Sequence, residues 1–203
     1  MTLDSLSGIL PATMKKDKPT RFPEDAKKVF DGIIYDVYQW PQEMYDGTTA
    51  TYERLNRQDT IIVIGITEDK QILLVDEEQP HVPLATKFVA GKIDPGETPE
   101  QAASRELLEE TGYQAEKMDL WFENKPDINI DWTVYTFIAK NIKKVAEQEL
   151  ENGEKITPKL FSFDKFIEFA TSEKFTGSSI KIKVLEAQLD PQKMRQFKDS
   201  LLS

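Results

Sequence analysis

Apolar and polar positions alternate with period two over several stretches of this chain, the spacing that sends successive side chains to opposite faces of a strand. In Val29–Trp40, Ile33, Tyr35, Val37 and Gln39 face one way, and Ile34, Asp36, Tyr38 and Trp40 the other. One strand is predicted there. Asp46-Gly47 marks a hairpin, with Thr48–Leu55 as the return strand. Thr60–Ile66 and Gln71–Val75 are aliphatic, β-branched runs separated by Thr67-Glu68-Asp69-Lys70, a second hairpin. Further strands are predicted at Ala115–Glu123, Ile128–Ala139 and Lys155–Ser162.

A helix over residues 99–111 is marked at both ends. Thr98 is a fitting N-cap, Pro99 takes the first helical position, Gln101 completes a capping box, and Gly112 is a fitting stop. Ala102, Ala103, Leu107 and Leu108 are its packing positions. Helices are also predicted at Asp164–Thr171, Ser179–Ala187 and Pro191–Leu202. Strands mixed with helices make an α/β fold. Residues 1–27, with Pro11, Pro19 and Pro23 among Lys and Asp, read as loosely structured.

Composition narrows the chemistry. A chain of 203 residues suits one globular domain with a small appended sub-structure. It has no Cys and one His, His81, so disulfides, thiolate sites and a His-rich zinc site are excluded. A metal would be held by oxygen ligands, which selects a hard cation such as Mg²⁺ or Mn²⁺. The formal charge is -10, from 36 acidic and 26 basic residues, a field that repels nucleic acid and anionic lipid. Ile61–Ile66, the longest apolar run, is far too short to span a membrane. Met1–Lys16 lacks the basic start and apolar core of a signal peptide. The expectation is a soluble, cytoplasmic protein with a small-molecule substrate.

The stretch Gly91–Tyr113, GKIDPGETPEQAASRELLEETGY, carries the strongest signal. Glu106, Glu109 and Glu110 lie at i, i+3 and i+4, so they share one helix face. Like charges so placed repel by a few tenths of a kcal/mol per pair, roughly, and a divalent cation would turn that repulsion into coordination. Arg105 precedes the cluster and Glu97 stands just before the helix, so the two can pair bidentately and fix the loop to the helix. Gly91 and Gly96 allow tight turns and close approach. An ordinary solvated Glu-rich helix would explain an isolated Glu pair. It does not explain the whole spacing.

That spacing resembles the Nudix signature: Gly91, Glu97, Arg105-Glu106, Leu107, Glu109-Glu110, Gly112 and Tyr113 match it at every place. The resemblance implies an α/β/α sandwich with a mixed sheet, here preceded by an N-terminal β-hairpin region. Residues 58–203 would be the hydrolase domain and residues 1–57 the extension. It also implies a loop–helix–loop that binds Mg²⁺ or Mn²⁺ and hydrolyses a nucleoside diphosphate linked to another moiety. Glu106 and Glu110 would be the principal metal ligands. Glu109 would be a ligand or, in some branches, the base. The Ala90 carbonyl would add a ligand, and Arg105 and Glu97 would hold the loop.

From about Val29 onward, the order of elements resembles the ADP-ribose pyrophosphatase and nucleotide-sugar branch, whose N-terminal strands often build a homodimer. Phe88-Val89-Ala90-Gly91 and Phe175-Thr176-Gly177-Ser178-Ser179 suit that branch. Where the branch often has Gln-Tyr-Arg, this chain has Asp76-Glu77-Glu78-Gln79-Pro80, and Arg54 is a candidate to replace the missing cation. Likeness to the branch also points to an acidic loop before the last strand for the base. Glu147, Glu149, Glu151 and Glu154 lie there, Glu154 first in order and Glu151 second. Among the tryptophans, Trp40, Trp121 and Trp132, Trp40 best fits a stacking role. Lys87 and Lys92 flank the site, and His81 reads as a loop residue. The substrate class expected is ADP-ribose or a nucleotide sugar. The alternatives are a hydrolase of nucleoside triphosphates or dinucleoside polyphosphates, and a catalytically silent nucleotide-binding regulator.

Overall fold

The computed structural model describes residues 22–80 and 82–203. His81 and the expectations for residues 1–21 lie outside the described residues. The chain divides into two compact units, one ending at Asn56 and the other running from Arg57 to Ser203.

In the first unit β1 (Lys27–Asp31), β2 (Asp36–Glu43) and β3 (Thr49–Asn56) form an antiparallel meander. The single strand expected over Val29–Trp40 is two. The chain reverses between Asp31 and Asp36, which oppose each other, and Gly32 sits where an added Cβ would strike the Tyr35 carbonyl at 2.3 Å. The apolar alternation continues through that turn, so pattern alone cannot reveal it. A small aromatic core holds the unit: Trp40 is 7% exposed, with Phe22 edge-on at 6.1 Å and Tyr52 tilted against it at 5.3 Å.

The second unit is built on one mixed sheet. Its strands are β4 (Thr60–Thr67), β5 (Ile72–Gln79), β6 (Val82–Lys87), β7 (Val89–Lys92), β8 (Tyr113–Gln114), β9 (Lys117–Asn124), β11 (Val134–Lys144) and β12 (Lys155–Phe161). A short β10 covers Ile130–Asp131. β4 runs parallel to β11, while the other pairings are antiparallel. On its opposite side β4 has two neighbours. Its C-terminal end pairs with β5 through Gly65↔Leu73 and Ile66↔Ile72, and its N-terminal half pairs with β7 through Thr60↔Lys92 to Val63↔Val89. The sheet therefore forks at β4.

Both faces of this sheet are buried, and period two sorts the side chains between them. Ile61, Val63, Leu73, Val75, Val89, Phe137 and Ala139 pack under α1 (Pro99–Thr111). Ile64, Ile66, Ile72, Leu74 and Ile138 pack on the other face. There they meet α2 (Phe163–Thr171), α3 (Ser178–Gln188) and α4 (Pro191–Leu202) through Phe166, Phe175, Ile180, Val184 and Leu201. This is the α/β/α sandwich. On that face the Phe88 ring lies 5.7 Å from that of Phe166 and 5.9 Å from that of Phe175.

Helix α1 starts and stops as its sequence dictates. Thr98 Oγ1 accepts from the Gln101 N–H at 3.2 Å, and the Thr98 N–H donates to Gln101 Oε1 at 2.8 Å. Gly112 ends the helix at φ +72°, with its N–H on the Leu108 carbonyl at 2.7 Å. Ala102, Ala103 and Leu107 are buried against the sheet. Leu107 contributes about 1.5–3 kcal/mol by leaving water, and cutting it to Ala would cost about 2–5 kcal/mol. Leu108, expected to pack, is 37% exposed, and Glu110 and Thr111 take the buried positions of the last turn instead. No helix among the described residues is long and apolar enough to cross a membrane.

Candidate active site

The fork opens a cleft of about 940 Å³ whose lining residues all belong to the unit from Arg57 onward. α1 brings Glu106, Glu109 and Glu110 to it, and β7 brings Ala90, Gly91 and Lys92. The acidic loop supplies Glu149, Glu151 and Glu154. Glu147 points elsewhere; its side chain is 94% exposed, beside Lys144. Trp40 and Arg54 lie together in the first unit, with the guanidinium 5.9 Å from the ring centre.

Arg105 organises the loop before α1. Its Nε and Nη2 each donate to one Glu97 oxygen at 3.0 Å, and Nη2 also reaches the Lys92 carbonyl at 3.0 Å. The second Glu97 oxygen accepts from the Asp94 N–H at 3.1 Å. The Arg105 bonds hold the Glu97 carboxyl below its usual range despite its burial. The remaining nitrogen, Nη1, bridges Glu106 Oε1 at 2.8 Å and Glu109 Oε2 at 3.2 Å.

The three helix carboxylates are not equivalent. Burial raises the Glu106 carboxyl, with Arg105 opposing the shift. Glu110 is 5% exposed, and burial pushes its carboxyl up to about 9, with Glu106, Glu77 and Glu154 adding to the rise and Lys87 opposing it. Glu110 Oε2 is buried and accepts no hydrogen bond. A buried carboxylate oxygen without a partner is costly unless something positive or a proton reaches it.

That orphaned oxygen is the observation that fits a divalent cation. Its acidic companions on α1 in the cleft, Glu106 and Glu109, offer carboxylate oxygens, the chemistry of a hard ion. Gly91 makes the close packing practicable: a Cβ there would stand 1.9 Å from Glu106 Oε1. Among the described residues no three acidic or imidazole groups are already gathered around one point, and Arg105 Nη1 holds Glu106 and Glu109. A cation would take over that charge neutralisation at Glu106 and supply the partner Glu110 lacks.

The acidic loop is tied to the same helix. The Glu149 N–H donates to the Glu109 carbonyl at 2.9 Å, and the Val145 N–H to the Gly112 carbonyl at 2.8 Å. Gln148 Nε2 bridges the carbonyls of Glu110 and Ile156. Gly112 is required for this approach, since a Cβ would lie 2.1 Å from the Ala146 carbonyl oxygen.

Sequence reasoning missed Glu77, Asn124 and the start of α3 as cleft residues. Glu77 carried a readable signal: it continues the alternation of Leu73 and Val75 onto the α1 face, but the run Asp76-Glu77-Glu78 reads as solvated. Trp132 also lines the cleft, with its indole N–H on Thr60 Oγ1 at 3.0 Å and the Arg57 guanidinium 4.3 Å from its ring centre. Trp121 packs instead against Phe122 and Phe197.

Residues 56–182 match the family described as NUDIX domain. An ADP-ribose pyrophosphatase of Bacillus subtilis (strain 168) is 30% identical over 132 residues, covering 63% of this chain and 71% of its own length. A methanol dehydrogenase activator of Bacillus methanolicus is 29% identical over 169 residues, covering 80% of this chain and 90% of that protein. A crystal structure of an ADP compounds hydrolase superposes with a TM-score of 0.66 at 18% identity, over 83% of this chain and 94% of that one, a likeness of fold. Since the family match spans more than half the chain and takes in the whole Glu97–Gly112 loop and helix, the chain belongs to the NUDIX family and is a Nudix diphosphohydrolase.

Proposed function

We propose that the protein hydrolyses the diphosphate bond of ADP-ribose or a related nucleotide sugar in a metal-dependent reaction, releasing a nucleoside monophosphate and a sugar phosphate. The observation that carries this reading is the buried Glu110 Oε2, which has no hydrogen-bond partner, on the same helix face as Glu106, at the wall of a cleft large enough for such a substrate. Similarity to an ADP-ribose pyrophosphatase supports the substrate class.

Glu106, Glu110, Glu109 and the Ala90 carbonyl would hold Mg²⁺ or Mn²⁺. When bound, the ion supplies neutralisation of the diphosphate and Lewis acidity toward phosphorus. Arg105 and Glu97 fix the loop so that β7 and α1 keep their spacing. A carboxylate of the acidic loop, Glu154 or Glu151, takes a proton from the attacking water. The water oxygen bonds to phosphorus as the anhydride P–O bond breaks, and the leaving phosphate carries away that electron pair. Lys92 and Arg54 are the proposed substrate contacts, the latter within a homodimer; Trp40, 7% exposed, serves the aromatic core of the N-terminal unit instead. Phe30, Ile33 and Tyr45, 59%, 99% and 112% exposed, support self-association through the N-terminal unit. A soluble, cytoplasmic setting completes this reading.

Products decide the matter. With Mg²⁺, ADP-ribose should give AMP and ribose 5-phosphate, and EDTA should stop the reaction. Hydrolysis confined to nucleoside triphosphates or dinucleoside polyphosphates would overturn the substrate class.

A further inference from the structure

Strand register places Lys87 and Glu77 on the α1 face of the sheet. Val75, part of the α1-side core, opposes Lys87 across the β5–β6 ladder, and Glu77 follows Val75 by two positions. Opposed residues share a face, as do residues two apart on one strand. Both side chains therefore project toward the cleft where Glu110 stands, and both line it.

Their burial differs in an informative way. Glu77 is 7% exposed at the end of the apolar run Ile72–Val75. A carboxylate is stable there only if its oxygens are engaged. Oε1 accepts from Gln79 Nε2 at 2.6 Å, and Oε2 forms an ion pair with Lys87 Nζ. The Lys87 side chain is 37% exposed, so its ammonium touches the buried anion on one side and meets the cleft on the other. Arg105 also lines the cleft, but its guanidinium is already engaged by Glu97, Glu106 and Glu109. Lys87 stands outside that cluster, and its flexible stem is braced from behind.

We propose that Lys87, braced by the buried Glu77, is a diphosphate-binding cation of this cleft. The proposal rests on the diphosphatase reading above. Glu77 is the positioning residue: it fixes one ammonium rotamer without itself meeting the substrate.

The bland alternative is that Lys87 only neutralises Glu77. Three proteins separate the two: wild type, Lys87→Gln and the double variant Glu77→Gln/Lys87→Gln. Calorimetric binding of methylenediphosphonate with Mg²⁺, KM for ADP-ribose and Tm are measured on each. Lys87→Gln strands a buried charge and should lower Tm. The double variant removes that charge and should recover Tm. If Lys87 binds phosphate, the double variant still binds the diphosphonate about ten- to a hundredfold more weakly, with KM raised alongside. Recovery of wild-type affinity together with Tm would overturn the proposal, as would a wild type that does not bind the diphosphonate. Should the double variant not fold, wild-type affinity in Lys87→Gln overturns it, and weakened affinity in that variant while folded supports it. The diphosphatase reading fails separately, when the wild type cleaves neither ADP-ribose nor nucleotide sugars, because binding is read without hydrolysis.

Discussion

Arg105 grips Glu97 through two hydrogen bonds of 3.0 Å each, one to each carboxylate oxygen, across eight residues of sequence. The pair joins the loop after β7 to the middle of α1, and the same guanidinium turns its third nitrogen to Glu106 and Glu109.

Arg105→Lys keeps the charge and loses the fork, because an ammonium cannot serve both Glu97 oxygens in one plane. The pair is only partly exposed, so the loss should cost about 1–3 kcal/mol of stability. Hydrolysis should fall by about ten- to a hundredfold as the loop loosens. Thermal melts and kcat on one preparation check both, and a variant with wild-type kcat would show that the fork is dispensable.

Glu110→Gln should retain the fold while turnover falls about a hundredfold or more. The same protein tests the acid–base state of the buried carboxyl. Its folded value near 9 lies above the unfolded value near 4.5, so between those values the folded protein binds the extra proton. Stability contributed by Glu110 therefore declines as pH rises through that window, by about 1.4 kcal/mol per pH unit at most. In EDTA, the Tm of Glu110→Gln should gain on that of wild type as pH rises. A constant difference across the window would remove the burial argument.

Gly91→Ala should be severe for a methyl group. The new Cβ falls 1.9 Å from Glu106 Oε1 and 2.0 Å from its Cδ, so the carboxylate must leave its place beside Arg105. Metal affinity by titration should drop together with activity. Gly96→Ala, at φ +89° with nothing within 4 Å, is the control for backbone strain without collision.

Glu154→Gln and Glu151→Gln separate the two loop carboxylates. The variant that removes the base should lose activity by about a hundred- to ten-thousandfold with KM little changed, and its rate should recover at high pH as hydroxide replaces the base. Near-wild-type rates in both would move the base to the helix, with Glu109 the next residue to substitute.

Legibility followed the range of the forces involved. Thr98, Pro99, Gln101 and Gly112 act within one or two turns of the chain, so α1 and its ends were readable from sequence, as were Glu106 and Glu110 on one face. The unbroken aliphatic run Ile61–Ile66 revealed a strand, but which elements cover its two faces depends on distant parts of the chain. Strands β6 and β7 went unread because Val82–Lys92 mixes apolar and charged residues that are sorted only by distant partners on β4 and β5. Glu77 was hidden for a similar reason. Its neighbours in sequence are charged, and only the ladder to β6 brings Lys87 to it. Leu108 was misplaced because α1 presents Glu110 inward.

The ties between α1 and the acidic loop have a mechanical consequence. Residues 150–154 hang between the Glu149 N–H, fastened to α1, and Lys155, the first residue of β12, with Gln148 fastening both ends. The loop is therefore held to the helix at one end and to the sheet at the other, and these two anchors set the gap between the two sets of carboxylates. The protein works as a jig whose tolerance is set by one short span of backbone. Lengthening that span by a few glycines would loosen the alignment of the chemistry while leaving every acidic side chain in place.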